Sequence, residues 1–325
     1  MTSPSLINEA VTNMPWIYPL LGIVVGTFSG LLGLGGGWLI TPALNILGFP
    51  ASTAVGTTLT QMMGSSSMGA LKHWRLGNLR PALATVVVVP LIMGVLTGKS
   101  VMSHLAELNL EDSVLRHLHL GLGIFLAFTI LREVLSKNSS TESKQPKTAG
   151  TVEKKIHLPL WGPRLVLQQG IVIPYYGIII MAFTGGLASA LMGIGGGLIM
   201  VPSMIYIFGI PTVTAVATNL ACIFFGTSVG AVTYYLDGNV QIQPALLLMM
   251  SSATGSYIGA ALSAVIDPKK LRLFFGLLLV VSTSSIILKQ LDYSLLAQIT
   301  IFGGASLLWI LILAPVIVSK IKKGT

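Results

Sequence analysis

Long apolar runs, cut by short polar joints, fill most of this sequence. Runs of about 20 residues, enough to cross the hydrocarbon core of a bilayer, lie at Pro15–Leu34, Ala51–Leu71, Pro81–Val101 and Val114–Leu135. A second set lies at Tyr175–Ile194, Thr212–Tyr235, Pro244–Ile266, Leu271–Leu288 and Tyr293–Ile317. Between the first and second run of each set sits a shorter apolar piece, Trp38–Leu47 and Leu198–Phe208. Backbone polar groups in lipid find no water, so each run is predicted to be helical. The stretch from Ser136 to about His157 is too polar to bury a core and is predicted to be a flexible loop. Segment Pro159–Pro174, which carries Arg164, Gln168 and Gln169, is predicted to be an interfacial helix or loop.

The composition gives the same solvent. Of 325 residues, 53% are hydrophobic and 9% charged, with a mean hydropathy of +0.83. A water-facing surface needs about 25% charged residues. The expected fold class is therefore an all-α polytopic integral membrane protein, with lipid as its main neighbour. The net charge of +9 does not indicate nucleic acid, because the basic residues stand between apolar spans rather than on one face. One cysteine, Cys222, excludes an intrachain disulfide. The first fourteen residues lack Lys and Arg, so no cleavable signal peptide is expected.

The chain also repeats itself. Gly33–Pro42 (GLGGGWLITP) matches Gly193–Pro202 (GIGGGLIMVP). Gly48–Leu59 matches Gly209–Leu220 at 7 of 12 positions. Gly77-Asn78 maps to Gly238-Asn239, and the pair Gly94/Gly98 maps to Gly255/Gly259, at a constant offset of 160 to 161. The division expected is a polar tail (1–14), a first transmembrane repeat (15–135), a basic cytoplasmic linker with the interfacial segment (136–174), a second repeat (175–289), and an extra C-terminal span with a basic tail (290–325). Cytoplasmic loops collect Lys and Arg. Four crossings per half would split the 19 basic residues 11 inside and 8 outside. If the chain instead turns back at the glycines, giving five passes per half, the split is 16 to 3, with only Lys99, Arg116 and Lys289 outside. The count favours inverted halves, although Trp38–Leu47 is too short to span alone. The Gly94/Gly98 and Gly255/Gly259 pairs are read as close helix contacts, within one chain or between the copies of a homo-oligomer.

Gly35-Gly36-Gly37 and Gly195-Gly196-Gly197 break apolar stretches in corresponding places, where each glycine costs roughly 1 kcal/mol of helix stability. Paired breaks of this kind point to a transporter site, and the N–H groups that open a half-helix favour anions. Close packing through small residues is the alternative. The helices that follow are polar for a membrane: Thr57, Thr58 and Gln61 in one half, Thr218 and Asn219 in the other. Hydroxyls and amides there suit an oxyanion, or ordinary interhelical hydrogen bonds worth about 0.6 kcal/mol each. Lys99, Arg116, His117, His119 and Arg132 fall near predicted helix ends, where snorkelling accounts for them; the two histidines are read as interfacial rather than as proton relays. Nucleotide binding is excluded because no GK[ST] follows the glycines. No HExxH, GxSxG or Cys/His cluster marks an enzyme or a metal site, and no cofactor is expected.

The doubled G-(L/I)-G-G-G-x-(L/I/M)-x-x-P, each followed by G-x-P-x-x-x-A-V-(G/A)-T, resembles the TauE/SafE sulfite exporter family, also called the toluene-sulfonate uptake permease family. The resemblance runs from Val24 to about Leu288. It implies a secondary transporter of sulfite or an organosulfur anion such as a sulfonate, in a prokaryotic cytoplasmic membrane. The partners expected are a small anion, membrane lipid and a coupling ion such as H+. An anion channel and a membrane subunit without flux are the competing classes, and counterflow separates carrier from channel.

Overall fold

A computed structural model of the chain describes residues 15–135, 164–166, 172–263, 266 and 268–321. The N-terminal tail, most of the basic linker and the last four residues lie outside them. The described residues form twelve α-helices and one small ribbon. In the first half these are α1 (Ile17–Leu32), α2 (Gly37–Ile46), α3 (Ala51–Arg75), α4 (Pro81–Glu107) and α5 (Glu111–Leu135). The second half holds α6 (Tyr175–Met192), α7 (Gly197–Pro202, continued by a π-helical turn Ser203–Ile207), α8 (Thr212–Leu236), α9 (Ile242–Leu262) and α10 (Pro268–Gln290). The final span is not one helix. It divides into α11 (Ser294–Gln298), a π-helical turn (Ile299–Gly303) and α12 (Gly304–Ile321).

Seven of these stretches are long and apolar enough to cross a membrane, and the chain is a polytopic helical membrane protein. Helix α3 is the exception that informs. At 25 residues it is about 37 Å long, yet its Thr, Gln and Ser residues keep it out of that apolar set. It packs against α8, α9 and α2, and its Thr57, Thr58 and Gln61 side chains are fully buried. Shielded from lipid by its neighbours, it has no need of an apolar surface.

Two sequence expectations are corrected. The run Pro15–Leu34 is not helical throughout: α1 has 16 residues, about 24 Å, because Gly33 takes a left-handed conformation (φ 73°) and its N–H closes the helix on Ser29 O at 2.7 Å. Segment Pro159–Pro174 is neither helix nor loop where it is described. Arg164–Val166 pairs antiparallel with Val172–Pro174, Leu165 opposite Ile173, and Ile173 is buried against the apolar cluster of α4, α6 and α8.

Glycine contacts fix the helix directions. Along α1, Gly22, Gly26 and Gly30 meet Ser251, Ser252 and Ser256 of α9 in ascending order, so the two run parallel. Gly64 and Gly69 of α3 meet Met249 and Ser256, which makes α3 parallel to both. In the same way Gly94 and Gly98 of α4 meet Phe183 and Leu187 of α6, while Ala84 and Leu91 meet Cys222 and Gly226 of α8. Between α3 and α8 the order reverses: Gly56 meets Tyr234, Leu59 meets Gly230 and Gly69 meets Leu220. Helices α1, α3 and α9 therefore run one way and α4, α6 and α8 the other. Since α1 and α3 run the same way, α2 returns between them. At 10 residues, about 15 Å, it has half the length of a bilayer's hydrocarbon core.

The Gly94/Gly98 and Gly255/Gly259 pairs are contacts within the chain. Both clamp the fourth helix of one half onto the first helix of the other, α4 on α6 and α9 on α1. At one end of the bundle stand Lys72, over the Tyr257 ring, with Arg75 and Arg80. At the other, Lys99 pairs with Asp237, and Lys289 is bound by Asn45, whose amide donates to Asp112 Oδ1 at 3.0 Å.

A side chain at Gly94 would collide with Phe183 O, whereas one at Gly121 meets nothing within 4 Å. Gly94→Ile is expected to cost at least about 1–3 kcal/mol and Gly121→Ala nothing measurable, read by thermal unfolding in detergent. Equal stability of the two variants would remove the α4–α6 clamp.

Candidate substrate site at the paired glycine turns

Helices α1 and α6 enter the bundle in opposite senses and stop at the same depth. Gly33 and Gly193 cap them with φ of 73° and 69°, and Gly36 and Gly196 start α2 and α7 with φ of 87° and 72°. An L-residue in this left-handed region costs roughly 1–2 kcal/mol, so the chain can reverse here cheaply only with glycine. Among the described residues, the ten glycines with positive φ form five pairs, 33/193, 35/195, 36/196, 48/209 and 77/238.

The two turns lie back to back. A Cβ on Gly37 would strike Gly193 O, and one on Gly197 would stand 2.7 Å from Leu34 Cα and 3.1 Å from Gly33 O. The glycine at the start of each half-helix is thus required by the backbone of the opposite half. Gly35 and Gly195 share one cover: the Met62 methyl lies over both, with Ile223 beside it. Met62 and Ile223 stand at the middle of α3 and α8 and occupy matching positions in the repeat.

Polar side chains then secure the carbonyls that the turns leave free. Asn219 Nδ2 donates to Gly33 O at 2.6 Å. Ser65 Oγ donates to Gly35 O at 3.1 Å. Thr41 Oγ1 lies 3.1 Å from Thr58 Oγ1 and 3.4 Å from Gly193 O. Thr57 and Thr218 act differently from the rest. Their oxygens accept the N–H groups of Gln241 (3.1 Å) and Arg80 (3.4 Å), the N-cap residues of α9 and α4. Each threonine thereby ties its helix to the start of a helix in the other half.

What remains unsatisfied is Gln61. It is fully buried, and both its Nε2 and its Oε1 lack a hydrogen-bond partner. Thr58, Gln61 and Ser65 share a face of α3 by helical spacing; Ser65 bonds the first turn directly and Thr58 reaches the second through Thr41. Asn219 Oδ1 and Ser29 Oγ are likewise buried and unpartnered. An unmet buried polar group costs about 1–3 kcal/mol, and three here are concentrated around one feature. The position matching Gln61 in the second half is Cys222, which is buried and lies 3.8 Å from Ala84 O. The amide is therefore present on one side only. The first N–H groups of α2 also lack intrahelical acceptors by geometry.

All the residues expected from sequence are buried: Gly35, Gly36, Gly37, Thr57, Thr58, Gln61, Gly195, Gly196, Gly197, Thr218 and Asn219. The two turns meet directly, with Asn219 beside them and Thr58 linked to them through Thr41. Thr57 and Thr218 face helix starts. Sequence reasoning passed over Ser29, Thr41, Met62 and Ile223. For three of them a signal existed: Ser29 and Ser189 precede the glycine caps by four residues in both halves, and Met62 and Ile223 are repeat mates.

A family model described as "Sulfite exporter TauE/SafE" matches residues 18–286. This chain belongs to the TauE/SafE family. It is similar to the probable membrane transporter protein YunE of Bacillus subtilis (strain 168), at 27% identity over 274 residues, covering 81% of this chain and 94% of the relative. The probable membrane transporter protein YjnA of the same organism is 25% identical over 265 residues, covering 81% and 96%. The probable membrane transporter protein MJ0441 of Methanocaldococcus jannaschii is 25% identical over 277 residues, covering 80% and 90%. No solved structure matches this TauE/SafE chain.

The Met62 cover is testable by a double-mutant cycle. Gly35→Ala should destabilise the protein, and combining it with Met62→Ala should show a favourable coupling of about 0.5–3 kcal/mol, measured by thermal unfolding. Strictly additive losses would show that the methyl does not rest on this turn.

Proposed function

We propose that this chain is a secondary carrier of a small anion, and that sulfite or an organosulfur anion such as a sulfonate is the substrate. The observation that carries this reading is the Gln61 amide, buried with both polar atoms unpartnered on the α3 face that meets the glycine turns. An anion placed there would receive hydrogen bonds from Gln61 Nε2 and from backbone N–H groups around Gly35–Gly37 and Gly195–Gly197. Asn219 would hold the Gly33 carbonyl away from it. Hydrogen bonds to a charged partner contribute about 1.5–3 kcal/mol each. Several of them recover much of an anion's hydration without a buried countercharge, and weak enough binding allows release.

The opposite senses of α1 and α6, of α3 and α8 and of α4 and α9 support two inverted repeats. In that arrangement access alternates as one repeat rocks against the other about the shared site. The end bearing Lys72, Arg75 and Arg80 faces the cytoplasm by the loop-charge rule, and a prokaryotic cytoplasmic membrane is the membrane that the family resemblance implies. The relatives named as membrane transporters support transport over a subunit without flux.

The test is uptake of labelled sulfite into proteoliposomes, with and without unlabelled sulfite preloaded. Preloading should accelerate saturable uptake; flux that never saturates and shows no counterflow would indicate a channel. Gln61→Leu should leave stability unchanged or slightly raised, because it removes an unpartnered buried amide, and should raise KM about ten- to hundredfold. Wild-type transport by Gln61→Leu would place the substrate elsewhere. Bulky replacements at Gly36 or Gly196 should abolish uptake.

A further inference from the structure

His119 is not where a surface histidine belongs. It sits two turns inside α5, 8% exposed, whereas His117 is exposed on the opposite face. Residues two apart on a helix point in nearly opposite directions, which is why the sequence position alone suggested an interface for both. Its Nδ1 lies 3.0 Å from Leu115 O. A carbonyl only accepts, so Nδ1 carries the hydrogen and Nε2 keeps its lone pair. That Nε2 is buried with no hydrogen-bond partner.

His119 also lines a small pocket of about 20 Å³, enough for one water. The opposite wall is Trp38, Ile194 and Leu198, which directly follow or interrupt the two glycine runs, and α10 contributes Ser282 and Thr283. Ser282 Oγ donates to Trp38 O at 3.3 Å, tying α10 to the first turn of α2. The cavity is thus one residue removed from the candidate anion site. No other lining residue titrates. On the same face of α5, Arg116 and Asp112 stand one and two turns nearer the bundle end. From α10 the charge on that side is Lys289, which is held by Asn45. Helices α6, α2 and α7 present only apolar residues to the cavity, and α3 and α4, which also touch α5, do not line it.

We infer that His119 is the proton-binding residue that couples a proton to the anion. This rests on the carrier reading above. An anion at the glycine turns favours the imidazolium, because an opposite charge nearby stabilises the charged form. By linkage, a proton on Nε2 tightens anion binding by the same factor. The carrier then moves anion and proton together. Nε2 takes up the proton on the side where the anion binds, through the single-water cavity, and returns it to water on the side where the anion leaves. A histidine with a merely structural water in the cavity would leave transport indifferent to the pH gradient.

The experiment compares wild type with His119→Gln and His119→Asn in sulfite-loaded and empty proteoliposomes. Gln keeps a polar atom near Nε2, and Asn keeps a donor near Nδ1 for Leu115 O. Two quantities are read for each protein: sulfite counterflow at equal pH, and sulfite accumulation under an imposed pH gradient. Sulfite speciation is the same for all three proteins and cancels in the comparison. Wild type should show both. The variants should lose about tenfold or more in the ratio of gradient-driven accumulation to counterflow, within the usual range of coupling between sites. A wild-type ratio in either variant overturns the assignment of His119. So does a wild type that shows counterflow but ignores the gradient, a readout that needs no variant to fold. Absence of counterflow in the wild type would instead sink the carrier reading itself.

Discussion

Everything in this structure depends on the contact between two broken backbones. Inside a membrane a chain that leaves the helix must find protein partners for its N–H and C=O groups. Here each break finds the other: Gly37 lies against the Gly193 carbonyl, and Gly197 against Leu34 and Gly33. Neither turn would be stable alone at that depth. The contact also fixes what surrounds it. Helices α3 and α8 must lie alongside to supply Ser65 and Asn219 to the freed carbonyls. The faces they turn to the breaks must therefore carry polar groups, and neighbouring helices keep lipid from those faces.

The second layer of order is the exchange of partners between halves. The first helix of each half packs on the fourth helix of the other, through glycines that admit backbone to within van der Waals reach. With little hydrophobic drive between helices in lipid, such close packing is the main cohesive force. Thr57 and Thr218 reinforce it by binding the N–H groups that open α9 and α4. They contribute to the fold itself.

Much of this was legible in the sequence because glycine carries positional information. The repeated GGG predicted both breaks, and the spacing of the repeat predicted the pairs Gly48/Gly209 and Gly77/Gly238, all four with positive φ. The length of α1 was less legible. Hydropathy continues through Leu34, and only the left-handed Gly33 stops the helix. The Leu165–Ile173 pairing was hidden because three-residue strands carry no periodicity. The burial of His119 was hidden for a different reason. Which face of α5 meets α10 depends on tertiary packing, and the residues around it are apolar on every side. At the site itself, polar residues on α3 and α8 could be read from composition, but not which of them would be consumed by the backbone. Thr58, Ser65 and Asn219 have partners; Gln61 does not.

The fold is doubled, yet the amide is not: Gln61 in one half corresponds to Cys222 in the other. In the proposed carrier, an anion at the turns meets an unpartnered amide from α3 and none from the matching position of α8, where the Cys222 thiol is turned to Ala84 O. Rocking that exchanges the environments of the two halves then does not exchange equals. The outward-open and inward-open forms would hold the same anion with different strength, so half-saturating concentrations measured from the two faces should differ even where no gradient is present.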